Sequence, residues 1–275
     1  MARYTGFYRP NRPLAVYAAV FAVLLYLPIL FIPIFSFNSG VYVRFPLEEF
    51  TFYWYWDLFQ REPLMRAFWN SIKVAAVVSV LSTIIAIPAA LAIARYRMPG
   101  KAPAVSFIML PLVLPGLIMG VALLTLLNRM GVTLSLVTVA IGHMVICLPY
   151  AISVLLPRFI GFNRSLEEAS ADLGEPPLRT FLRVTLPCNF PGILACLLMT
   201  FTISFDEFFM AFFLSGAQST LPMYIWGQLR FPQDFPSLLA LATLILLFSF
   251  VLVFAALRLS RIGQPVTVET GETGR

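Results

Sequence analysis

Histidine and cysteine are almost missing from this sequence: of 275 residues one is a histidine, His143, and three are cysteines, Cys147, Cys188 and Cys196. A single imidazole excludes a multi-histidine metal centre. No two cysteines stand at C-x-x-C spacing, so neither a zinc site nor a disulfide framework follows. Cys147 and Cys196 fall inside apolar runs, where a thiol behaves as a small hydrophobe. Charge is scarce too. Asp, Glu, Lys and Arg make up 12% of the chain, where soluble domains carry about 25%, while 60% of residues are hydrophobic and the mean hydropathy is +0.87. That balance excludes a water-soluble domain, and the hydrophobicity excludes disorder. The formal charge of +6 points to membrane orientation, not nucleic acid, because basic residues in so apolar a chain set its topology. No phosphate-cradling G-x-x-x-x-G-K-[ST] loop occurs; the Gly100-Lys101 pair has Arg95 where the first glycine belongs. No histidine cluster and no set of nucleophile, base and acid marks a catalytic or metal centre.

Long apolar sequence is what remains. A membrane-crossing helix takes about 20 mostly apolar residues, and six stretches qualify: 14–36, 72–94, 105–127, 134–156, 192–214 and 238–258. The first follows a basic start, yet it exceeds the apolar core of about 7–15 residues in a cleaved signal and has no small-x-small site after it, which marks a retained span. Basic residues divide unevenly between the two sides. One side has Arg3, Arg9 and Arg12; Arg95, Arg97 and Lys101; Arg158, Arg164, Arg179 and Arg183; and Arg258, Arg261 and Arg275. The other has Arg44, Arg61, Arg66, Arg129 and Arg230, with Lys73 at a span end. The basic side faces the cytoplasm. The expected organisation is an all-α membrane protein with both termini cytoplasmic: a tail 1–13, a six-helix domain 14–258 with an inner loop 157–191, and a tail 259–275, polar after Arg261 and expected to be disordered.

Three features of the spans bear on function. The first outer segment gathers Phe45, Phe50, Phe52, Tyr53, Trp54, Tyr55, Trp56 and Phe59, and amphipathic rings collect at headgroup level, so a short interfacial helix on the outer face is expected, as an anchor. Pro28, Pro33, Pro88, Pro111, Pro115 and Pro149 lie inside spans, where each can kink its helix; whether the kinks serve motion or only packing stays open. Gly116 and Gly120 form a G-x-x-x-G that permits close helix contact, read here as intramolecular.

The inner loop 157–191 carries the most specific pattern. Ser165 and Glu168 are spaced as a capping box, and Gly174 supplies a left-handed stop, which predicts a two-turn helix. Leu166, Ala169, Ser170 and Leu173 would share one face, with Glu167, Glu168 and Asp172 projecting from the rest. Pro177 suits the start of a second short helix, and Pro187 is expected to close the segment. Isolated helices this short are marginal in water, so this one needs a packing surface, either its own membrane domain or a separate protein.

The run Glu168-Ala169-Ser170, Gly174 six residues after Glu168, and Val184-Thr185-Leu186-Pro187 resembles the EAA loop of permease subunits of binding-protein-dependent ABC importers, with Ser170 for the second alanine and Val184 for isoleucine. Six spans with the loop between the fourth and fifth also resemble the type I importer fold of that family. The resemblance implies that Ser165, Leu166, Glu167, Glu168, Ala169, Ser170, Asp172, Leu173, Gly174 and Pro187 belong to a coupling helix and its frame, docked on a cytoplasmic ATPase. It implies no catalysis or cofactor in this chain, with ATP and Mg bound by the ATPase. The implied partners are two ATPase subunits, a second homologous permease (a heterodimer rather than a homodimer), an extracytoplasmic solute-binding protein and membrane lipid, in a bacterial inner membrane. A self-contained channel or secondary transporter would share the spans but leave this loop without purpose.

The solute is approached through the fifth span. Phe201-Thr202-Ile203-Ser204-Phe205-Asp206-Glu207-Phe208-Phe209, with Thr220-Leu221-Pro222-Met223-Tyr224-Ile225-Trp226, resembles the spermidine/putrescine permease subfamily. An ionised carboxylate in a span costs about 2.5–3.5 kcal/mol on insertion scales and usually faces a bundle interior or aqueous cavity. Asp206 or Glu207 could therefore meet a cation in the pathway, with Phe205 and Phe209 adding cation–π attraction. Equally, either acid could cap a kink or bond a neighbouring helix such as the one carrying His143. Other small solutes, an opine or an amino-acid derivative, stay open. His143 itself is expected to pack or to make an interhelical hydrogen bond.

Overall fold

The computed structural model describes residues 12–42, 44–96 and 99–261. The expectations for the tail before Arg12 and for the end after Arg261 lie outside those residues. In a bilayer the backbone has no water to bond to, and a helix satisfies its N–H and C=O groups internally. The described residues accordingly form helices and no strand, with one isolated bridge between Asn38 and Phe50. In chain order they are α1 (Arg12–Phe35), α2 (Tyr53–Gln60), α3 (Glu62–Arg95), α4 (Lys101–Met109), α5 (Gly116–Arg129) and α6 (Leu136–Ile160). Then follow α7 (Ser165–Asp172), α8 (Pro177–Thr180), α9 (Leu186–Asp206), α10 (Phe209–Leu214), α11 (Leu221–Gln228) and α12 (Phe235–Arg261).

All six predicted spans are mostly helical, with three departures. The second begins ten residues early, at Glu62. The third is not a straight span: α4 passes through a tight turn at Leu110–Leu112 and stops, and α5 leaves at 99° to it. Proline is the cause, since Pro115 has no N–H to give and biases Leu114 away from the helical region. The fifth is helical from Pro177, runs through a π-turn at Phe181–Thr185, and breaks at Glu207 and Phe208, where there is no proline. Elsewhere α1, α3 and α6 continue through Pro28, Pro33, Pro88 and Pro149.

The chain divides into two compact units. The first holds the described residues up to Glu62 with Trp226–Leu247. Within it no residue of α1 from Pro13 to Phe35 is buried. The predicted aromatic helix is α2, preceded by stacked rings of Phe37 and Phe50 at 4.8 Å and braced by Trp54 Nε1 donating to the Asn38 carbonyl at 2.8 Å. Arg61 ties α2 to the tight turn Pro232–Asp234 that leads into α12, by donating to Asp57 and Asp234 at 2.7 and 2.8 Å.

The second unit holds the described residues of Pro63–Ile225 and those from Phe248 on. Apolar lipid offers no hydrophobic drive between helices, so close approach through small residues has to supply the attraction. Ala86, Ala90, Ala151 and Cys196 are fully buried or nearly so, and they bring α3, α6 and α9 together around Ile152, Leu155 and Phe159. A separate cluster around Val78, Met119, Val139, Met210 and Leu214 joins α3, α5, α6 and α10. Between α6 and α9, His143 Nδ1 and Ser204 Oγ lie 2.8 Å apart, which is the interhelical bond expected of this histidine.

Candidate functional site

Two places in the second unit gather the residues singled out by sequence: the loop around α7 and the break after α9. The loop helix starts earlier than a capping box at Ser165 requires. Arg164 already has helical dihedrals, and its carbonyl takes the Glu167 and Glu168 N–H groups at 3.0 and 3.1 Å. Ser165 therefore sits inside the helix, and the Ser165–Glu168 capping box does not form. Asn163 does the work instead: its Oδ1 accepts from the Ser165 N–H at 3.1 Å and from Ser165 Oγ at 2.8 Å. Glu168 pairs with Arg164 at 3.3 Å on the open surface, a contact worth under about 1 kcal/mol.

At the other end the stop is the one predicted. Gly174 has φ +84°, Gly174 N–H bonds the Ala171 carbonyl at 2.9 Å, and Glu175 N–H bonds the Ser170 carbonyl at 3.2 Å. This reciprocal pair satisfies carbonyls that the helix end would leave open. Pro187 does not close the segment. The π-turn of Phe181–Thr185 runs straight into α9; a proline ring presses on the carbonyl four residues back, and a widened turn at that point accommodates it.

The faces of α7 also differ from the helical-wheel expectation. Glu167 turns inward: its Oε2 lies 3.1 Å from Arg95 Nη2 at the end of α3, and its Oε1 accepts from Thr185 Oγ1 at 2.7 Å. Ser170 likewise meets Thr180 at 3.0 Å. The leucines point the other way, with Leu166 45% and Leu173 86% exposed, beside exposed Glu168, Ala169 and Asp172. Polar side chains thus hold α7 on its own chain, and its apolar edge faces outward. A cavity of about 300 Å³ lies beneath, lined by Arg95, Glu167, Glu175, Thr180, Phe181 and Thr185 among others.

At the second place α9 ends on Asp206. Glu207 adopts an extended conformation with ψ 118°, and its Oε1 accepts from Met210 N–H at 3.2 Å, so Glu207 caps the short helix α10. What admits α10 is glycine on other helices. A Cβ on Gly120 would meet Phe213 Cδ2 at 2.5 Å and the Phe209 carbonyl at 3.3 Å; one on Gly142 would meet Leu214 Cδ1 at 2.5 Å. Gly116 approaches Phe209 in the same way, so the G-x-x-x-G contact is intramolecular, as expected. Of the four candidate pathway residues, Asp206 is exposed, Phe209 is 42% exposed, Glu207 is half-buried, and Phe205 is buried among the rings of Phe201, Phe248 and Phe68. The glycine pocket for α10 was not read from sequence beyond Gly116 and Gly120; Gly142, in an apolar span, was the available signal. Among the described residues no cluster of three or more potential metal ligands occurs.

The region from α3 to α12 that builds both places, residues 82–262, matches the family described as binding-protein-dependent transport system inner membrane component. The chain belongs to that family. This permease is 30% identical to the spermidine/putrescine transport system permease protein PotC of Haemophilus influenzae, over 86% of its own length and 92% of the relative's. It is 34% identical to the putrescine transport system permease protein PotI of Escherichia coli, over 81% of each chain. Among solved structures, a bacterial ABC transporter that imports alginate superposes with a TM-score of 0.67 over 92% of this chain and 98% of that one, at 19% identity. The MetNI methionine ABC transporter superposes at 0.60 over 73% and 98%, at 18% identity. At those identities the likeness establishes the fold, that of ABC importer permeases. The permease is thus a multi-pass protein of the inner membrane.

Proposed function

We propose that this permease forms half of an ATP-driven import pathway for a small cationic solute of the polyamine class, in a heterodimer with a second homologous permease. In this reading an extracytoplasmic binding protein delivers the solute, and two cytoplasmic ATPase subunits, which bind the ATP and Mg, supply the energy. The observation that carries it is the outward apolar edge of α7, Leu166, Ala169 and Leu173, on a helix already fastened to its own chain by Glu167 and Ser170. Such an edge calls for a separate protein to cover it, and the basic-residue distribution that puts 157–191 on the cytoplasmic side puts both termini there as well.

For the solute the support is the polyamine names of the relatives, together with Asp206, an exposed carboxylate at the point where α9 breaks. Glu207 has a structural task in capping α10, which leaves Asp206 and Phe209 as the residues offered to a cation. Asp206→Asn removes charge and nearly preserves shape. Uptake of labelled putrescine and spermidine, normalised to assembled complex, should fall about tenfold, the equivalent of ~1.4 kcal/mol. Undiminished uptake would take Asp206 out of the pathway, and wild-type complex that moves an opine or amino-acid derivative instead would overturn the polyamine assignment. Failure of the ATPase to co-purify with the chain would count against α7 as its docking site and against its cytoplasmic placement.

A further inference from the structure

We infer that Arg95 is a positioning residue that fastens the cytoplasmic end of α3 to the docking helix, so that motion of α7 is delivered to α3 as well as to α6 and α9, its neighbours in the chain. This rests on the reading of α7 as the ATPase docking site. The covalent routes from α7 run back through residues 161–164 into α6 and on through α8 and the π-turn into α9. A route to a third membrane helix is visible in the side chains. Arg95 is the last residue of α3, and its Nη2 lies 3.1 Å from Glu167 Oε2 with both side chains about four-fifths buried, at 17% and 23% exposure. Glu167 Oε1 accepts from Thr185 Oγ1 at 2.7 Å, and Thr185 is the buried last residue of the π-turn. Arg95 also places its guanidinium 5.7 Å over the ring of Phe162, just before α7. One carboxylate on the docking helix is thereby held from both sides, by α3 and by the root of α9.

Three further observations suit a working contact better than a static brace. A π-turn inside a helix is frequently found at functional sites, and this one carries the hydroxyl that holds Glu167. Arg95 Nε and Nη2 are buried without a hydrogen bond of good geometry, although a guanidinium can bind a carboxylate through two parallel bonds; the pair is held by charge and is not fully closed. The cavity of about 300 Å³ that Arg95 and Glu167 both line gives their side chains space to shift. Removing the pair should therefore impair transmission while leaving the outward Leu166 and Leu173 edge in place.

The test uses the complete complex, both permeases with their ATPases in lipid, and reads the stimulation of ATP hydrolysis by the binding protein carrying its native solute. That stimulation passes from the outer face to the ATPase and so reports transmission, without assuming which solute is carried. Arg95→Glu should lower the fold-stimulation at least fivefold at wild-type ATPase content and wild-type unstimulated hydrolysis. Arg95→Lys should keep more than half of it. The exchange Arg95→Glu with Glu167→Arg should restore most of what Arg95→Glu loses, which assigns the loss to the ion pair, whereas a merely structural role for Arg95 would lower ATPase content and unstimulated hydrolysis along with the stimulation. Wild-type stimulation in Arg95→Glu, or no recovery in the exchange, would overturn the inference while leaving the docking site standing. Wild-type chain that holds no ATPase would overturn both.

Discussion

The loop around α7 and the break after α9 both interrupt helical sequence, and they do so from opposite sources. In the loop the cause is local. Gly174 takes φ +84° with nothing within 4 Å of where its Cβ would be, and Asn163 caps the start from two residues away. At the break the interrupted residues, Asp206-Glu207-Phe208-Phe209, include neither glycine nor proline. The room for α10 comes from Gly116 and Gly120 on α5 and Gly142 on α6, far away in sequence. A helix can thus be stopped by its own residues or by a space that other helices provide. The first kind of stop is expected to tolerate changes elsewhere in the bundle, and the second to depend on them.

The largest effect should come from filling that space. Gly120→Val brings a branched side chain against Phe213 and against the Phe209 carbonyl, which as backbone cannot swing aside. Overpacking of this kind costs about 1–3 kcal/mol, so the thermal midpoint of the purified chain in detergent should drop and α10 should be displaced. A midpoint equal to wild type would mean that α10 is held by its own sequence after all, and the contrast between the two regions would collapse.

A smaller and strictly local effect is expected at the loop. Gly174→Val forces a β-branched residue into the left-handed region, at a cost of about 1–3 kcal/mol if the conformation is kept. With no atom near the new Cβ nothing is transmitted into the bundle. Co-purified ATPase should decrease while membrane insertion and the thermal midpoint stay at wild type. Full ATPase retention would show that the left-handed stop is dispensable, and a lowered midpoint would show that the loop and the bundle are not separable.

The smallest effect sharpens the account of how the loop helix begins. Asn163→Ala removes the acceptor of the Ser165 N–H, a cap worth about 1 kcal/mol, and should weaken ATPase association about fivefold. Ser165→Ala removes only a hydroxyl that donates to Asn163 and should weaken it less than twofold. The reverse order would reinstate the capping box between Ser165 and Glu168.

Much of the fold was legible because lipid simplifies the problem. Long apolar runs have to be helices when no water bonds the backbone, and the six runs in this sequence are mostly helical; the aromatic cluster outside those runs is helical too, as α2. Which of six prolines bends its span was not legible, since α1, α3 and α6 continue through Pro28, Pro33, Pro88 and Pro149 and the third span alone turns sharply, near Pro115, whereas Gly174 was legible because a left-handed stop depends on glycine's own φ angle. The inward turn of Glu167 was not. A helical wheel assigns charges to the outside, and it was Arg95 and Thr185, 72 residues before and 18 after, that gave this one a reason to face in.

What the sequence alone determined is therefore the set of properties that depend on composition over one turn or one span: helices long enough to cross a membrane, the left-handed stop at Gly174, and the spacing that places the chain in its permease family. What only the tertiary structure decided is which side each helix presents and where the fifth span breaks. Those outcomes depend on partners distant in the chain. Glu167 is oriented by an arginine on α3, and α10 is admitted by glycines on α5 and α6. Local propensity is summed over neighbours in sequence, whereas a contact at 3 Å depends on which atoms the whole bundle brings together.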